Sequence, residues 1–201
     1  MYINVVTGKF NDFGSELRGD AEAFFMEMHS ADYGTAKRVV AQYVSGASPD
    51  IAPISKSLIT EWCQRLMHDS GLKAYLLTTR GLTLDILRQY EIGHDGERYT
   101  IPVYNAYGIC VNVRRYLPNA PGNIKMLPYK TGYGVNRLYP IDVLLKSDVI
   151  YLHEGEWDTL LQLSKGFPAI TTTAGASSWS SEWNSLFEGK VVYICYDVDE
   201  P

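Results

Sequence analysis

The sequence predicts an α/β fold (α+β over the whole chain): a helical N-terminal part, an antiparallel β-hairpin subdomain, and a parallel sheet with flanking helices. Apolar residues at helical spacing within residues 58–67 predict a helix. The alternating runs ERYTIPVYN and GICVNVRRYL, on either side of a turn at residues 106–108, predict an antiparallel pair. The apolar runs VIYL, PAITTT and KVVYICY alternate with the helical patterns WDTLLQLSK and SEWNSLF, a β-α-β-α-β order typical of a parallel sheet.

Composition excludes several classes of protein. The 201 residues are 46% apolar and 20% charged, which is enough for a core and unlike a disordered or fibrous chain. Mean hydropathy is −0.14, and no apolar stretch approaches the roughly 18 residues of a membrane span. The N-terminus lacks a secretory signal, and the three cysteines (Cys63, Cys110, Cys195) lie far apart. We therefore expect a cytoplasmic protein without a disulfide framework, a membrane partner or a zinc knuckle of its own.

The charge of the chain is unevenly distributed. The net charge is −5, yet residues 98–141 contain six basic residues, no acidic residue and seven of the fifteen tyrosines. Residues 142–201 contain 3 basic and 10 acidic residues. A basic, tyrosine-rich segment beside an acidic one predicts a phosphate-binding surface next to a metal-binding one. The alternative is a solvated cationic hairpin face. The basic residues are Arg98, Arg114, Arg115, Lys125, Lys130 and Arg137.

The remaining elements follow from turn and capping signals. YINVV and KFNDF read as short strands, and Asp20 can cap the helix AEAFFMEMHS. A second helix is expected over TAKRVVAQYV, residues 35–44, before the linker SGASPDIAPISK. Thr83 can cap LDILRQY. We therefore divide the chain into an N-terminal part at residues 1–46, a linker with helices at 47–97, the basic antiparallel subdomain at 98–141 and the parallel-sheet part at 142–201.

Carboxylates follow two strands of the predicted parallel sheet. Glu154 comes directly after VIYLH with Asp158 one helical turn later, and Asp197 and Asp199 follow VVYICY. Parallel α/β sheets place their active groups at the carboxyl ends of the strands. A cluster of carboxylates repels itself, and Mg²⁺ or Mn²⁺ would relieve the repulsion. Taken singly, such residues are more often loop carboxylates or helix caps than metal ligands, but their combined order favours a metal site.

Residues 149–201 resemble a TOPRIM domain, the metal-binding module of DnaG-type primases, topoisomerases and several nucleases. Its Glu-Gly motif with a following Asp is matched by Glu154, Gly155 and Asp158, and its DxD motif by Asp197 and Asp199. Upstream segments resemble bacterial and phage primases: YLLTTRGLTLDILRQYEIG, IPVYNAYGICVNVRRY and KMLPYKTGYGVNRLYPID. TGKFNDFGSELRGDAEAFFMEM resembles the end of a primase zinc-binding region.

The resemblance implies a DNA primase that makes RNA primers on a single-stranded DNA template by two-metal nucleotidyl transfer, in phage or mobile-element replication. Glu154, Asp197 and Asp199 would be metal ligands, Glu154 alternatively a general base, and Asp158 an outer or water-mediated catalytic residue. The nucleic-acid or nucleotide phosphates would be held by Arg114, Arg115, Lys125, Lys130 and Arg137. Mg²⁺ or Mn²⁺, ribonucleotides and a replicative helicase in cis or in trans are the expected cofactors and partners.

The sequence departs from the family pattern in two places. No Cys or His zinc ligands precede the Gly-Asp, so zinc is expected only if its ligands lie outside this chain. The chain stops directly after the DxD motif, so we interpret it as a fragment with an incomplete TOPRIM domain and weak or absent priming. A metal-dependent TOPRIM nuclease and a non-catalytic nucleic-acid-binding module therefore stay open as alternatives.

Overall fold

A computed structural model describes residues 2–3, 9–12, 14–15, 17–30, 32–33, 52–175 and 178–197. The chain divides into two compact units, residues 1–45 and 46–201. In the first unit, β1 (Tyr2–Ile3), β2 (Phe10–Asn11) and β3 (Arg18–Gly19) form an antiparallel sheet. Helix α1 (Ala21–His29) follows, and the Asp20 carboxylate accepts a hydrogen bond from the Ala23 N–H, which confirms the predicted cap. The helix expected at residues 35–44 lies outside the described residues.

The second unit begins with capped helices. The Ser55 hydroxyl caps α2 (Lys56–His68), which buries Ile59, Trp62 and Leu66 at the predicted helical spacing. The chain continues through α3 (Ser70–Ala74) into a π-helical turn (Tyr75–Thr79). Thr83 caps α4 (Leu84–Gln89) as the sequence predicts.

The antiparallel hairpin is the centre of a four-stranded sheet of order β4-β5-β6-β7. Strands β5 and β6 pair antiparallel on either side of the predicted turn, with Ile101 opposite Arg114. The elements are β4 (Gly93–His94), β5 (Tyr99–Tyr104), β6 (Cys110–Tyr116), α5 (Gly122–Lys125) and β7 (Met126–Leu127).

The second sheet has the order β11-β9-β10-β8. Its strands β9 (Val149–His153), β10 (Ala169–Thr172) and β11 (Val191–Cys195) are parallel, as predicted. The edge strand β8 (Leu138–Tyr139) is antiparallel to β10, so the sheet is mixed and not purely parallel. Helix α6 (Ile141–Lys146) precedes β9, α7 (Glu156–Ser164) connects β9 to β10, and a 3-10 helix (Ser181–Phe187) precedes β11.

Buried apolar side chains join the helices to both sheets. One cluster includes Leu76, Leu87, Ile101 and Leu160, and therefore connects the helical segment, the hairpin and α7. A second cluster, with Ile150, Ile170 and Trp183, fills the other face of the mixed sheet. Together these clusters hold α7 and the end of β9 in a fixed position. No helix within the described ranges is long and apolar enough to cross a membrane.

Candidate active site

Glu154 and Asp197 lie just beyond the carboxyl ends of two neighbouring strands of the mixed sheet. We call this place, with Asp158, the carboxylate edge. Strands β9 and β11 are parallel neighbours, and their last paired residues are His153 and Cys195. The Asp197 backbone N–H donates to Glu154 Oε2 at 3.4 Å, so the two chain segments meet directly beyond the strands. The prediction that the carboxyl ends of these strands are adjacent is therefore confirmed.

Asp158 lies in the first turn of α7, beside the glycine that follows Glu154. An ideal Cβ on Gly155 would lie 3.4 Å from Asp158 Oδ2, which is ordinary contact. Gly155 has an extended backbone, with φ −136° and ψ 161°, so its conformation does not require glycine. The turn from β9 into α7 therefore does not depend on glycine at this position.

The carboxylate set fits a hard divalent cation in its chemistry. Glu154 is half-buried, while Asp158 and Asp197 are exposed, and all three present oxygen atoms, the ligands that Mg²⁺ and Mn²⁺ prefer. Asp199 lies outside the described residues. Over the ranges that the structure covers, no three His, Cys, Asp or Glu side chains form a ready metal-binding group. The donor chemistry and the shared sheet edge thus agree with the prediction, and the full ligand set stays a prediction.

His153 is the last residue of β9, directly before Glu154, and is buried. Its Nε2 atom makes no hydrogen bond to any described protein atom. Burial lowers the pKa of His153, and the opposing field of Asp158 does not cancel that effect. Burial therefore disfavours a positive charge on His153, the residue that directly precedes Glu154 in the chain.

Sequence reasoning missed the role of Glu156. Its carboxylate accepts a hydrogen bond from Arg114 Nε at 2.6 Å, with side-chain exposures of 7% for Glu156 and 15% for Arg114. Glu156 starts α7, only two residues after Glu154. Arg114 and Glu156 are 42 residues apart in the chain, and no local sequence pattern predicts a contact over that separation.

Arg115, the next residue of β6, also has acidic partners. Its Nε donates to Asp95 Oδ2 at 2.5 Å, and its Nη2 lies 3.5 Å from Glu97 Oε2. The absence of acidic residues within the basic segment therefore does not leave Arg114 and Arg115 without acidic partners. The acids come from residues outside the segment, brought close by the fold. A phosphate-binding role for these two arginines stays a prediction.

The remaining four cations of the segment fall into three locations. Arg98 is buried, and its Nη1 donates to the Ile124 carbonyl oxygen at 2.8 Å. Lys125 and Lys130 are exposed, and Lys130 Nζ lies 4.8 Å from the centre of the Tyr129 ring. Arg137 is buried, and its backbone N–H donates to Thr173 Oγ1 just beyond the carboxyl end of β10. Burial lowers the pKa of Arg137. Arg137 therefore lies at the same end of the mixed sheet as Glu154, whereas the two exposed lysines flank β7 in the chain; we call these two lysines the lysine surface.

Comparisons with known proteins give structural matches only. No family model and no curated protein matches the sequence. The zinc-binding and RNA polymerase domains of Aquifex aeolicus primase match at a TM-score of 0.57 and 17% identity, over 99% of this chain and 62% of that one. The E. coli primase catalytic core matches at 0.57 and 18%, over 71% and 61% of the chains. A DnaG primase catalytic domain bound to ssDNA matches at 0.58 and 18%, over 82% and 63%.

These matches concern the fold. The chain spans about three fifths of the length of the solved primases it resembles. The mixed sheet with its carboxylate edge and the preceding hairpin sheet correspond to the expected arrangement, so the resemblance drawn from the motifs is confirmed at the level of structure. This chain has the fold of the DnaG-type primase catalytic core.

Proposed function

We propose that this chain is the catalytic part of a DNA primase that synthesises RNA primers on single-stranded DNA during phage or mobile-element replication. The observation that carries the proposal is the meeting of Glu154 and Asp197 at one sheet edge within a DnaG-type fold. Ribonucleotides would be the substrates, and a replicative helicase, in cis or in trans, the partner.

The reaction assigns a role to each residue of the edge. The 3′-hydroxyl oxygen of one ribonucleotide attacks the α-phosphorus of the next, the α–β phosphoanhydride bond breaks, and pyrophosphate leaves. Glu154 would accept the hydroxyl proton or bind metal, Asp197 and Asp199 would bind metal, and Asp158 would hold a water. When bound, Mg²⁺ or Mn²⁺ would offset the negative charge of the reacting phosphates. Arg137 would contact a nucleotide phosphate at the same edge.

The template would cross the lysine surface. One of the matched primases was solved with ssDNA, which supports a single-stranded template for this chain as well. Exposed lysines can neutralise backbone phosphates. Tyr129 and Tyr133 are half-buried and pack edge to face with ring centres 5.3 Å apart, so only the exposed parts of these rings would be open to a base. Arg114 and Arg115 would reach phosphate only with their remaining N–H groups, because their Nε atoms already bind carboxylates.

Metal binding and templated ribonucleotide transfer test the proposal together. Mn²⁺ binding is measured by electron paramagnetic resonance, and transfer by extension of a labelled ribonucleotide on a single-stranded oligonucleotide. We expect weak but specific Mn²⁺ binding, and Glu154→Gln or Asp197→Asn should reduce any templated transfer at least about 100-fold. Asp148→Asn is the control, because Asp148 is an exposed carboxylate at the opposite end of β9.

Other outcomes identify the competing functions. Metal-dependent cleavage of the oligonucleotide without extension would favour the TOPRIM nuclease. DNA binding that is indifferent to Mn²⁺ and to Glu154→Gln would indicate a non-catalytic binding module. If Asp148→Asn and Glu154→Gln reduce templated transfer equally, the carboxylate edge has no special role in the reaction.

A further inference from the structure

The Arg114–Glu156 ion pair connects the hairpin sheet to the turn that carries Glu154. Glu156 lies in the first turn of α7, and Arg114 projects from the middle of β6. The Nε–Oε1 distance is 2.6 Å, and both side chains are largely removed from water. The pair is therefore a direct polar contact between the antiparallel hairpin and the helix turn that follows Glu154.

A buried ion pair restrains the two elements that carry it, because separating the partners leaves charges that are neither paired nor hydrated. Removing one partner of a buried ion pair leaves an uncompensated charge, which strongly destabilises the folded state. The position of Glu156 at the start of α7 adds the favourable field of the helix N-terminus. Movement of α7 away from β6 would separate the Glu156 carboxylate from Arg114, its partner. The ion pair therefore fixes the first turn of α7 against the hairpin.

The same turn is fixed from its other side. The Gly155 carbonyl oxygen accepts hydrogen bonds from the Thr159 backbone N–H at 3.2 Å and from the Thr159 hydroxyl at 3.0 Å. Thr159 is completely buried. The backbone between Glu154 and Asp158 is thus held by Thr159 from within the helix and by Arg114 from the hairpin. This is the backbone that determines where the two carboxylates of the edge lie.

We propose that Arg114 and Glu156 are positioning residues that set the geometry of Glu154 and Asp158 for divalent-metal binding, and that Arg114 keeps Glu156 out of the metal site. The inference rests on the proposed function, because it assumes that the carboxylate edge binds metal. It differs from the phosphate-binding role predicted for Arg114. That role would depend on the positive charge of Arg114 and not on its partner.

Metal affinity separates positioning from simple electrostatics. Arg114→Met removes a positive charge, and Glu156→Gln removes a negative one. If only charge mattered, Mn²⁺ would bind more tightly to Arg114→Met and more weakly to Glu156→Gln. Positioning predicts that both variants weaken Mn²⁺ binding about tenfold, and that the double variant is no worse than either single one. Arg114→Lys, which retains the charge, should recover most of the affinity.

Arg115→Met is the matched control, because Arg115 neighbours Arg114 on β6 and pairs with an equally buried carboxylate, Asp95, away from α7. Mn²⁺ affinity is measured by electron paramagnetic resonance, ssDNA affinity by fluorescence anisotropy, and folding by thermal unfolding. We expect Arg115→Met to lower thermal stability without changing Mn²⁺ affinity, and Glu156→Gln not to lower DNA affinity.

The outcomes that overturn the inference are distinct from failure of the proposed function. If the parent binds Mn²⁺ through Glu154 and Arg114→Met binds it equally or more tightly, the positioning role is wrong and the proposed function stands. If Arg114→Met does not fold, Glu156→Gln provides the test instead. Unchanged Mn²⁺ affinity in that variant would also show that the positioning role is wrong, while the proposed function stands. If Glu154→Gln does not alter Mn²⁺ binding by the parent, the proposed function fails and the positioning role fails with it.

Discussion

At the scale of single residues, charge composition along the chain is a poor guide to which cations are available. Arg114 and Arg115 are neighbours on a strand, so their side chains project from opposite faces of the hairpin sheet. Each meets a carboxylate, from Glu156 on one side and Asp95 on the other, 42 and 20 residues away in the chain. A count of acids within the segment could not detect either partner, whereas Lys125 and Lys130 are exposed as that count suggests.

The Asp95–Arg115 pair gives stability a specific pH dependence. Burial would raise the pKa of Asp95, but hydrogen bonds from Arg115 and from the Glu97 and Arg98 backbone N–H groups lower it below its ordinary value of 3.8. The ionised carboxylate therefore stabilises the folded state above that value, and the contribution is lost as pH falls through the lowered folded-state pKa. We expect Asp95→Asn to unfold more easily in urea at pH 7 and to lose less stability than the parent below about pH 4.

The measurement is urea unfolding of parent and variant from pH 7 to pH 3. Asp85→Asn serves as the control, because Asp85 is an acidic side chain that is 94% exposed on α4. Parallel pH profiles for the parent and Asp95→Asn would show that the buried carboxylate contributes nothing in this range.

At the scale of elements, the long or strongly patterned segments were predictable and the short ones were not. The apolar run of β9, the alternation of β5 and β6, and the cap at Thr83 each leave a local pattern. Strand β8 has only two residues, too few for any periodicity, and its antiparallel pairing with β10 depends on tertiary contacts. The convergence of Glu154 and Asp197 was predictable because β-α-β order determines which strand ends meet.

The packing of α2 on β4 depends on a glycine. A Cβ on Gly93 would lie 2.7 Å from the Trp62 carbonyl carbon and 2.8 Å from the Cys63 nitrogen, both backbone atoms that cannot rotate away. We expect Gly93→Ala to destabilise the fold by about 2 kcal/mol, because the helix must move off the strand. Urea unfolding at neutral pH measures the change.

Gly122→Ala provides the matched substitution at an open position. A Cβ there meets nothing within 4 Å, and the residue starts α5 with ordinary helical geometry. The variant should be neutral or stabilised by up to about 1 kcal/mol. Equal stability of the two alanine variants would contradict the close approach of α2 and β4.

At the scale of the whole molecule, a chain of net charge −5 can bind nucleic acid only if its positive side chains are grouped on one part of its surface. The carboxylate edge and the lysine surface lie on different sheets, so phosphate attraction and metal binding are separated. Strand β11 is an edge strand, and Val191, Tyr193 and Ile194 are 53%, 51% and 67% exposed. This weak support for Asp197 is consistent with the expectation of weak metal binding by the chain.

Single-stranded DNA should therefore bind at the lysine surface in a salt-dependent manner. Each lysine that neutralises a phosphate releases a counterion, so changing both Lys125 and Lys130 to Ala should make the plot of log affinity against log salt shallower by about 1.4. The loss should be similar for all oligonucleotide sequences, because phosphate contacts do not read bases. Lys165→Ala is the control, since it removes an exposed positive charge at the end of α7, away from the hairpin sheet. Fluorescence anisotropy with a labelled oligonucleotide at several salt concentrations measures the slopes. An unchanged slope in the double variant, or an equal change in Lys165→Ala, would mean that these lysines are only a solvated face and that DNA binds elsewhere.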